Sequence, residues 1–359
     1  MIQKLGLVCV GVLIGFQLFA QDTTLTRKTT YLAFPVAFRL PETGFGAGVA
    51  ALSNFYIDKS DSISPPSQIQ FGFAYTQNKQ VLAYMPFQLF WQEKEWRAYG
   101  EIGFYKYSYP FYGVGTTDIT DTSEIYKVDF PRLRLNALRS VAPNWYAGLR
   151  LWTDDFKMKE VEAEGRLATA DISGSRGGVV FGFGAIAERD TRNNVYYPTK
   201  GSYTEFVWHP NQKALLSDFT YVRYRVDYHV YFKLAKNTVL ANQVFLDMVS
   251  GDPPFYAMAI LGGSKRMRGI IEGRFRDRNA LLLQTELRQL VYKRWGATAF
   301  LNYGQIAPSL DQLEVFNGRF AGGGGLRFML DREKRINLRL DAAWGDSSPN
   351  FYFTVGEAF

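Results

Sequence analysis

Residues 220–232 read TYVRYRVDYHVYF, with Arg223, Arg225, Asp227 and His229 on alternate positions and Val222, Tyr224, Val226, Tyr228 and Val230 between them. In a strand, successive side chains point to opposite faces, so this stretch has one charged face and one β-branched and aromatic face. Residues 280–291, ALLLQTELRQLV, repeat the pattern, with Gln284, Glu286 and Arg288 opposed to Leu281, Leu283 and Leu287. So do residues 336–344, INLRLDAAW, where Asn337, Arg339 and Asp341 oppose Ile336, Leu338, Leu340 and Trp344. A soluble sandwich also alternates, but it sends its apolar side chains into a core and its polar ones into water. Many successive strands with aromatic-rich apolar faces and charged opposite faces fit a barrel in lipid better. The apolar face then meets acyl chains and the charged face lines a wet lumen. On that reading Arg223, Arg225, Asp227, Arg339 and Asp341 are lumen-facing charges.

The rest of the chain agrees with an exported, strand-built protein. Of 359 residues, 16% are aromatic and 33 are glycine, a composition that favours strands. The N-terminus, MIQKLGLVCVGVLIGFQLFAQD, has a basic start at Lys4, an apolar run from Leu5 to Phe19 and small Ala20 before Gln21. It reads as a secretory signal peptide over residues 1–20, since the apolar run is shorter than the ~20 residues a spanning helix needs. The single cysteine, Cys9, falls inside that signal, so the mature chain has no disulfide. Only two histidines are present, His209 and His229, in different strand patterns, which argues against a histidine metal site or catalytic triad. The net charge of +7 is spread along the chain with no clustered basic stripe, so no nucleic-acid partner is expected.

Period-two segments predict about 16 strands near 30–39, 44–56, 67–77, 79–91, 95–106, 124–140, 144–155, 177–188, 201–210, 218–232, 237–248, 278–292, 295–305, 319–330, 336–346 and 350–359. The fold class is therefore all-β, a transmembrane antiparallel β-barrel of the outer-membrane type, with residues 21–29 a short periplasmic segment and 30–359 the barrel. An even strand count places both ends on the periplasmic side. The longest outer loop is then 249–277, and QEKE (92–95), APN (142–144) and DREK (331–334) are periplasmic turns. Pro131, inside a strand, predicts a bulge. In the closing NFYFTVGEAF, parity puts Phe351, Phe353, Val355 and Phe359 on the lipid face and leaves Glu357 facing outward near the interface.

Two motifs remain. ERDTRNNVYYPTKGSYTEF (188–206) passes from one strand to the next, with Arg189, Asp190 and Arg192 at the strand end and Pro198 and Gly201 framing a periplasmic turn. LGGSKRMRGIIEGRFRDRN (261–279) puts Gly262, Gly263, Gly269, Gly273 and six basic residues into the longest loop. With FLNYGQIA (300–307) and the final GEAF, these motifs resemble the barrel domain of the superfamily that contains BamA, TamA and the two-partner-secretion transporters, the bacterial surface antigen barrels. PFYGVGTTD (110–118) resembles the Bacteroidota-type members of that Gram-negative group. The resemblance implies that an Arg-Gly tip folds back from the sixth outer loop into the lumen. Arg268 and Gly269 match that tip, with Ile270 where an aromatic residue is usual, and Glu286 matches its acid partner on the twelfth strand. Asn302 stands where the thirteenth strand usually offers an aspartate, which predicts a weaker lock. It further implies that Phe359 closes a C-terminal barrel-assembly signal. AGGGGLRF (321–328) lacks the Gly-Lys-Ser/Thr ending of a phosphate loop and reads as a strand that bends or admits the loop closely.

No nucleophile is paired with a base, so neither an enzyme nor a cofactor is expected. Only QDTTLTRKT (21–29) separates the signal from the first strand, leaving no room for a POTRA module. The leading expectation is a barrel that helps proteins or lipids insert or cross through a weakly paired seam between residues 30–39 and 350–359. Its partners would be outer-membrane lipid, unfolded outer-membrane protein clients and a separate periplasmic accessory protein. A passive porin and an anchor barrel for such a periplasmic protein are the alternatives.

Overall fold

The computed structural model describes residues 29–40, 44–115, 122–314, 317–345 and 349–359. The signal peptide, nearly all of the segment that follows it, and residues 116–118 of the PFYGVGTTD stretch lie outside the described residues.

Sixteen strands form one antiparallel meander: β1 (Thr30–Leu40), β2 (Gly44–Phe55), β3 (Ser67–Thr76), β4 (Val81–Trp91), β5 (Trp96–Phe111), β6 (Glu124–Ala142), β7 (Trp145–Glu160), β8 (Gly178–Asp190), β9 (Gly201–Asn211), β10 (Tyr221–Ala235), β11 (Thr238–Gly251), β14 (Asn279–Tyr292), β15 (Trp295–Ala307), β16 (Arg319–Asp331), β17 (Ile336–Trp344) and β18 (Asn350–Val355). The remaining two, β12 (Ala259–Leu261) and β13 (Phe275–Asp277), pair with each other inside the long loop between β11 and β14. Each neighbour in the sheet is the next strand in sequence except where that loop intervenes, so only local hairpins are needed to build it.

The alternation that opened the analysis holds in three dimensions. Arg223, Arg225 and His229 of β10 are buried, whereas Tyr224, Tyr228 and Phe232 are exposed on the other side. Likewise Gln284, Glu286 and Arg288 of β14 and Arg339 and Asp341 of β17 are buried, while Leu283, Leu287, Leu340 and Trp344 are exposed. An exposed apolar wall around a buried charged interior is the inverse of a soluble fold and suits a lipid surround.

Three sequence expectations change. Strands β5 and β7 run about five residues further than their alternation indicated, to Phe111 and Glu160. An aromatic cluster of Tyr105, Phe111, Tyr126, Phe130, Phe156 and Phe255 packs their outer halves together with the long loop. Pro131 causes no bulge. Asp129 faces Lys157 and Arg132 faces Asp154, the same register on both sides of it, and even-numbered residues stay inward throughout β6. Proline's missing N–H interrupts the pairing with β7 locally, and the register shift lies earlier, between Lys127 and Val128. Finally, the last strand stops at Val355. Gly356, at φ +90°, breaks the alternation, and Glu357, Ala358 and Phe359 turn into the lumen rather than continuing along lipid. Phe359 packs against Tyr231, Val239 and Ala241, so it is not on the lipid face. Glu357 is there because Arg327 attracts it, at 2.9 Å.

Among the described residues β1 pairs only with β2 and β18 only with β17, so the first and last strands share no ladder. Lys334 Nζ donates to Thr30 Oγ1 at 2.9 Å, which sets the β16–β17 turn beside the start of β1.

Candidate functional site

The loop between β11 and β14 enters the lumen because its apolar residues find a core there. Ala259, Leu261, Met267, Ile270 and Phe275 from the loop join Phe245, Ala280, Leu282, Ile306 and Ala321 from the inner wall in one buried cluster. Burial of that apolar surface drives the infolding, and left-handed glycines shape it. Gly262 and Gly263 take φ +106° and +90°, and Gly273 takes +76°. Gly263 N–H donates to Ile270 O at 3.0 Å and Gly273 N–H to Leu261 O at 3.1 Å, closing the loop on itself.

Arg268 sits at the tip with no exposed surface. Its guanidinium donates to Glu286 Oε2 at 2.6 Å and to Asp341 Oδ2 at 2.7 Å, and lies 3.6 Å from the centre of the Phe300 ring. Two charge-assisted bonds plus a stacked aromatic face use the flat, multi-donor shape of the group, which a lysine could not reproduce. The backbone beside it is held by the last strand. Gly269 N–H donates to Tyr352 Oη at 3.0 Å, and Asn350 Nδ2 donates to Gly269 O at 2.9 Å.

Asn302 does not take the role of a weaker second acid. Its Nδ2 donates to the Arg268 carbonyl at 3.0 Å, and Asp341 supplies the second carboxylate. The geometry explains the exchange: Asn302 pairs with Ala321 at the level of the tip's backbone, while the long side chain of Arg268 runs past Phe300 and reaches Asp341 beyond it. Arg268 therefore meets two full charges. Asp341 has space to reach it because Gly325, directly opposite, has no side chain: a Cβ there would collide with Asp341 Oδ1.

The network extends further. Glu286 Oε1 accepts from Arg288 at 2.7 Å and lies 3.7 Å from Arg327, while Asp341 Oδ1 accepts from Arg327 at 2.5 Å. Arg339 Nε lies 3.6 Å from Asp341 and donates to Thr354 Oγ1 at 2.7 Å. Arg327 also holds Glu357 at 2.9 Å, with Arg288 4.0 Å from the same carboxylate and donating to Phe359 O at 2.9 Å. Four arginines and three carboxylates thus join the loop tip to the turned-in C-terminal residues. Sequence reasoning assigned no part in the lock to Arg288, Arg327, Asn350 and Tyr352. Inward parity was available for Arg288 and Tyr352.

The other singled-out residues lie apart from this network. Arg223 donates to Ala257 O, and both Arg223 and Arg225 pair with Asp247, at 3.6 and 3.0 Å. Asp227 Oδ1 lies 2.7 Å from His229 Nε2. At the turn between β8 and β9 Arg192 grips Asp190 with two bonds of 2.9 Å, Pro198 is buried and Gly201 (φ +94°) opens β9, whereas Arg189 is exposed on the opposite side. No group of three or more histidine, cysteine or acidic side chains placed to hold a metal occurs among the described residues.

With this geometry in place, comparison with known proteins adds the family. Residues 67–359 match the Omp85 superfamily domain. The chain belongs to the Omp85 superfamily. Solved Omp85-type structures share its fold: BamA from Haemophilus ducreyi lacking POTRA domains 1–3 aligns with a TM-score of 0.56 at 14% identity, over 92% of this chain and 69% of that one. CdiB from Acinetobacter baumannii aligns with a TM-score of 0.54 at 11% identity, over 92% of this chain and 60% of that one. At such identities the likeness is one of fold, and the chain spans well short of the full length of either relative. No curated protein sequence matches it. As an Omp85 barrel it is an outer-membrane β-barrel of the assembly and translocation type.

Proposed function

We propose that this barrel helps polypeptides insert into or cross the outer membrane by parting the sheet between β1 and β18, with the infolded loop acting as the lock on the last strand. The observation that carries the reading is the double use of β18. Its outer edge has no described ladder to β1, while its inner face holds the loop tip through Asn350 and Tyr352. An edge without a partner strand is a template for an incoming strand. A lumen filled by residues 259–277 argues against a wide passive pore, because the loop's apolar cluster and ion pairs occupy the space a solute would need.

The test uses cysteine pairs introduced between residues 32–36 and 351–354, with Cys9 in the expected signal as the chain's single native cysteine. Oxidised and reduced barrels in lipid vesicles are compared for insertion of an unfolded outer-membrane protein and for ion conductance. Insertion that stops on oxidation, with low conductance in both states, is the expected result. Large conductance in both states with no insertion would identify a porin and end the proposal.

A further inference from the structure

A second polar constellation lies in the lumen away from the loop lock, around Trp152 of β7. The guanidinium of Arg150 stands 3.8 Å from the centre of the indole, Arg134 of β6 at 4.2 Å and Arg225 of β10 at 5.6 Å. The imidazole of His209 on β9 meets the same indole edge-on at 5.7 Å. Four strands thus aim cationic or N–H-bearing groups at one ring. The strand between them, β8, contributes no side chain at Gly182, where a Cβ would strike the His209 ring.

The constellation is rich in donors and short of acceptors. Buried and without a hydrogen-bond partner are Nε of Arg134, Arg150 and Arg225, Nε1 of Trp152 and Nε2 of His209. Asn211 Nδ2 lies 3.3 Å from His209 Nδ1, which assigns the imidazole proton to Nε2 and makes that atom a donor as well. The carboxylates nearby are already engaged. Asp154 accepts from Arg132 at 2.8 Å and Arg134 at 3.1 Å, and Asp247, held by Arg223 and Arg225, leaves only Oδ1 unpartnered, as does the neutral amide of Asn136 opposite Arg150. Glu205 accepts from Tyr99 Oη at 2.8 Å and comes no closer than 3.9 Å to Arg150. Arg150 is 2% exposed and makes no described hydrogen bond. A buried guanidinium without a bonded counter-charge is unfavourable, and arginines are not relieved by losing a proton.

We propose that this wall binds an oxyanion of the phosphate class, with Arg150 as its main contact and Trp152 and His209 as neutral donors. Water accepts two hydrogen bonds and must also place two protons of its own, whereas a phosphate presents several acceptor oxygens and matches the planar fork of arginine. The anion could come from free phosphate or from the phosphate of a lipid headgroup, and the shared chemistry is the same.

The experiment is calorimetric titration of the folded full barrel in detergent with sodium phosphate, and separately with glycerol 3-phosphate, at constant ionic strength set by chloride. Saturable phosphate binding is expected. It should weaken about tenfold in Arg150→Gln, by loss of a charge-assisted contact, and stay unchanged in Arg139→Gln, which alters an exposed arginine paired with Glu95. Heat-dependent electrophoretic mobility reports whether each variant is folded. Should Arg150→Gln fail to fold, Trp152→Phe carries the test: it keeps the ring but removes one donor, and binding is expected to fall about threefold. Equal binding of both ligands points to a headgroup source, and preference for inorganic phosphate to a free anion. No saturable heat in the unaltered barrel, or unchanged affinity in the folded variants at Arg150 and Trp152, would overturn the site.

Discussion

Replacing Glu286 with glutamine should harm the barrel more than removing Arg268, the residue that gives the loop its grip. The reason lies in the charge count of the network: Arg268, Arg288, Arg327 and Arg339 share three acidic side chains, Glu286, Asp341 and Glu357, with Phe359 O a further acceptor for Arg288 alone. Arg268→Ala removes two bonds of 2.6 and 2.7 Å, but neither acid is orphaned. Glu286 keeps Arg288 at 2.7 Å and Asp341 keeps Arg327 at 2.5 Å. Repulsion among the remaining arginines also falls. Two charge-assisted bonds at about 1.5–3 kcal/mol each, less the relief of repulsion among the arginines, give a cost of about 3 kcal/mol. Glu286→Gln leaves four guanidiniums to share two carboxylates in a buried site and turns an amide N–H₂ toward Arg268 or Arg288, for a cost of about 5 kcal/mol. Urea unfolding in lipid vesicles, read by heat-dependent electrophoretic mobility, measures both. If Arg268→Ala loses as much stability as Glu286→Gln, or more, the charge-count reasoning is refuted.

Other expectations follow from local geometry. Gly269→Ala should unseat the loop tip, since φ is +105° and a Cβ would lie 2.7 Å from Trp344 O. Gly356→Ala should cost only the left-handed strain of about 1 kcal/mol, because nothing lies within 4 Å of its Cβ. Trypsin, cutting at the loop's basic residues, should separate the two variants. Gly325→Ala should push Asp341 off the lock and expose the loop in the same assay without touching Arg268. In the loop between β2 and β3, Asp61 accepts from the N–H groups of Ile63, Ser64 and Glu93 at 2.9, 2.9 and 2.8 Å. Burial pushes its carboxyl up, but a bond from the Ser64 side chain together with these backbone bonds outweighs it and holds the pKa below the usual carboxylate range. A lowered folded pKa means that the stabilisation is complete above the unfolded value of about 3.9 and is lost as pH falls toward the folded one. The stability gap between the native barrel and Asp61→Asn should therefore be flat from neutral pH to about 5 and shrink below about 4; a gap that grows on acidification would contradict this.

The strands were legible because each carries its own period of two, and the inward set at Arg223, Arg225, Glu286, Arg339 and Asp341 follows from parity alone. What parity does not encode is depth and reach across the lumen. Asn302 and Asp341 both point inward, and which of them meets Arg268 depends on how far the tip descends and on the space at Gly325. The C-terminal residues failed for a related reason. Alternation extrapolates a strand until something stops it, and Gly356 followed by an acid with two arginine partners inside is a tertiary signal written on β14 and β16. The Trp152 constellation was equally hidden, since its members come from β6, β7, β9 and β10, and no stretch of sequence unites them.

The shared arginines also make the loop and the C-terminal residues interdependent. While Glu357 is in the lumen it neutralises part of Arg327, at 2.9 Å, and of Arg288, at 4.0 Å. If the end of the chain swings out to open an edge at β18, both arginines lose that partner and bear only on Glu286 and Asp341, the two acids that hold Arg268. Four cations then compete for two anions, and Arg268, the one carried by a loop rather than a strand, is the one that can leave. Withdrawal of Glu357 should therefore loosen the loop, and Glu357→Gln imitates it without moving the backbone. Trypsin should cut the loop of this variant faster than that of the native barrel, while a Glu357→Gln, Arg327→Gln double variant, which restores the balance of three arginines against two acids, should recover part of the protection. Equal cutting of all three would mean that the ion pairs are independent and that the loop does not sense the end of the chain.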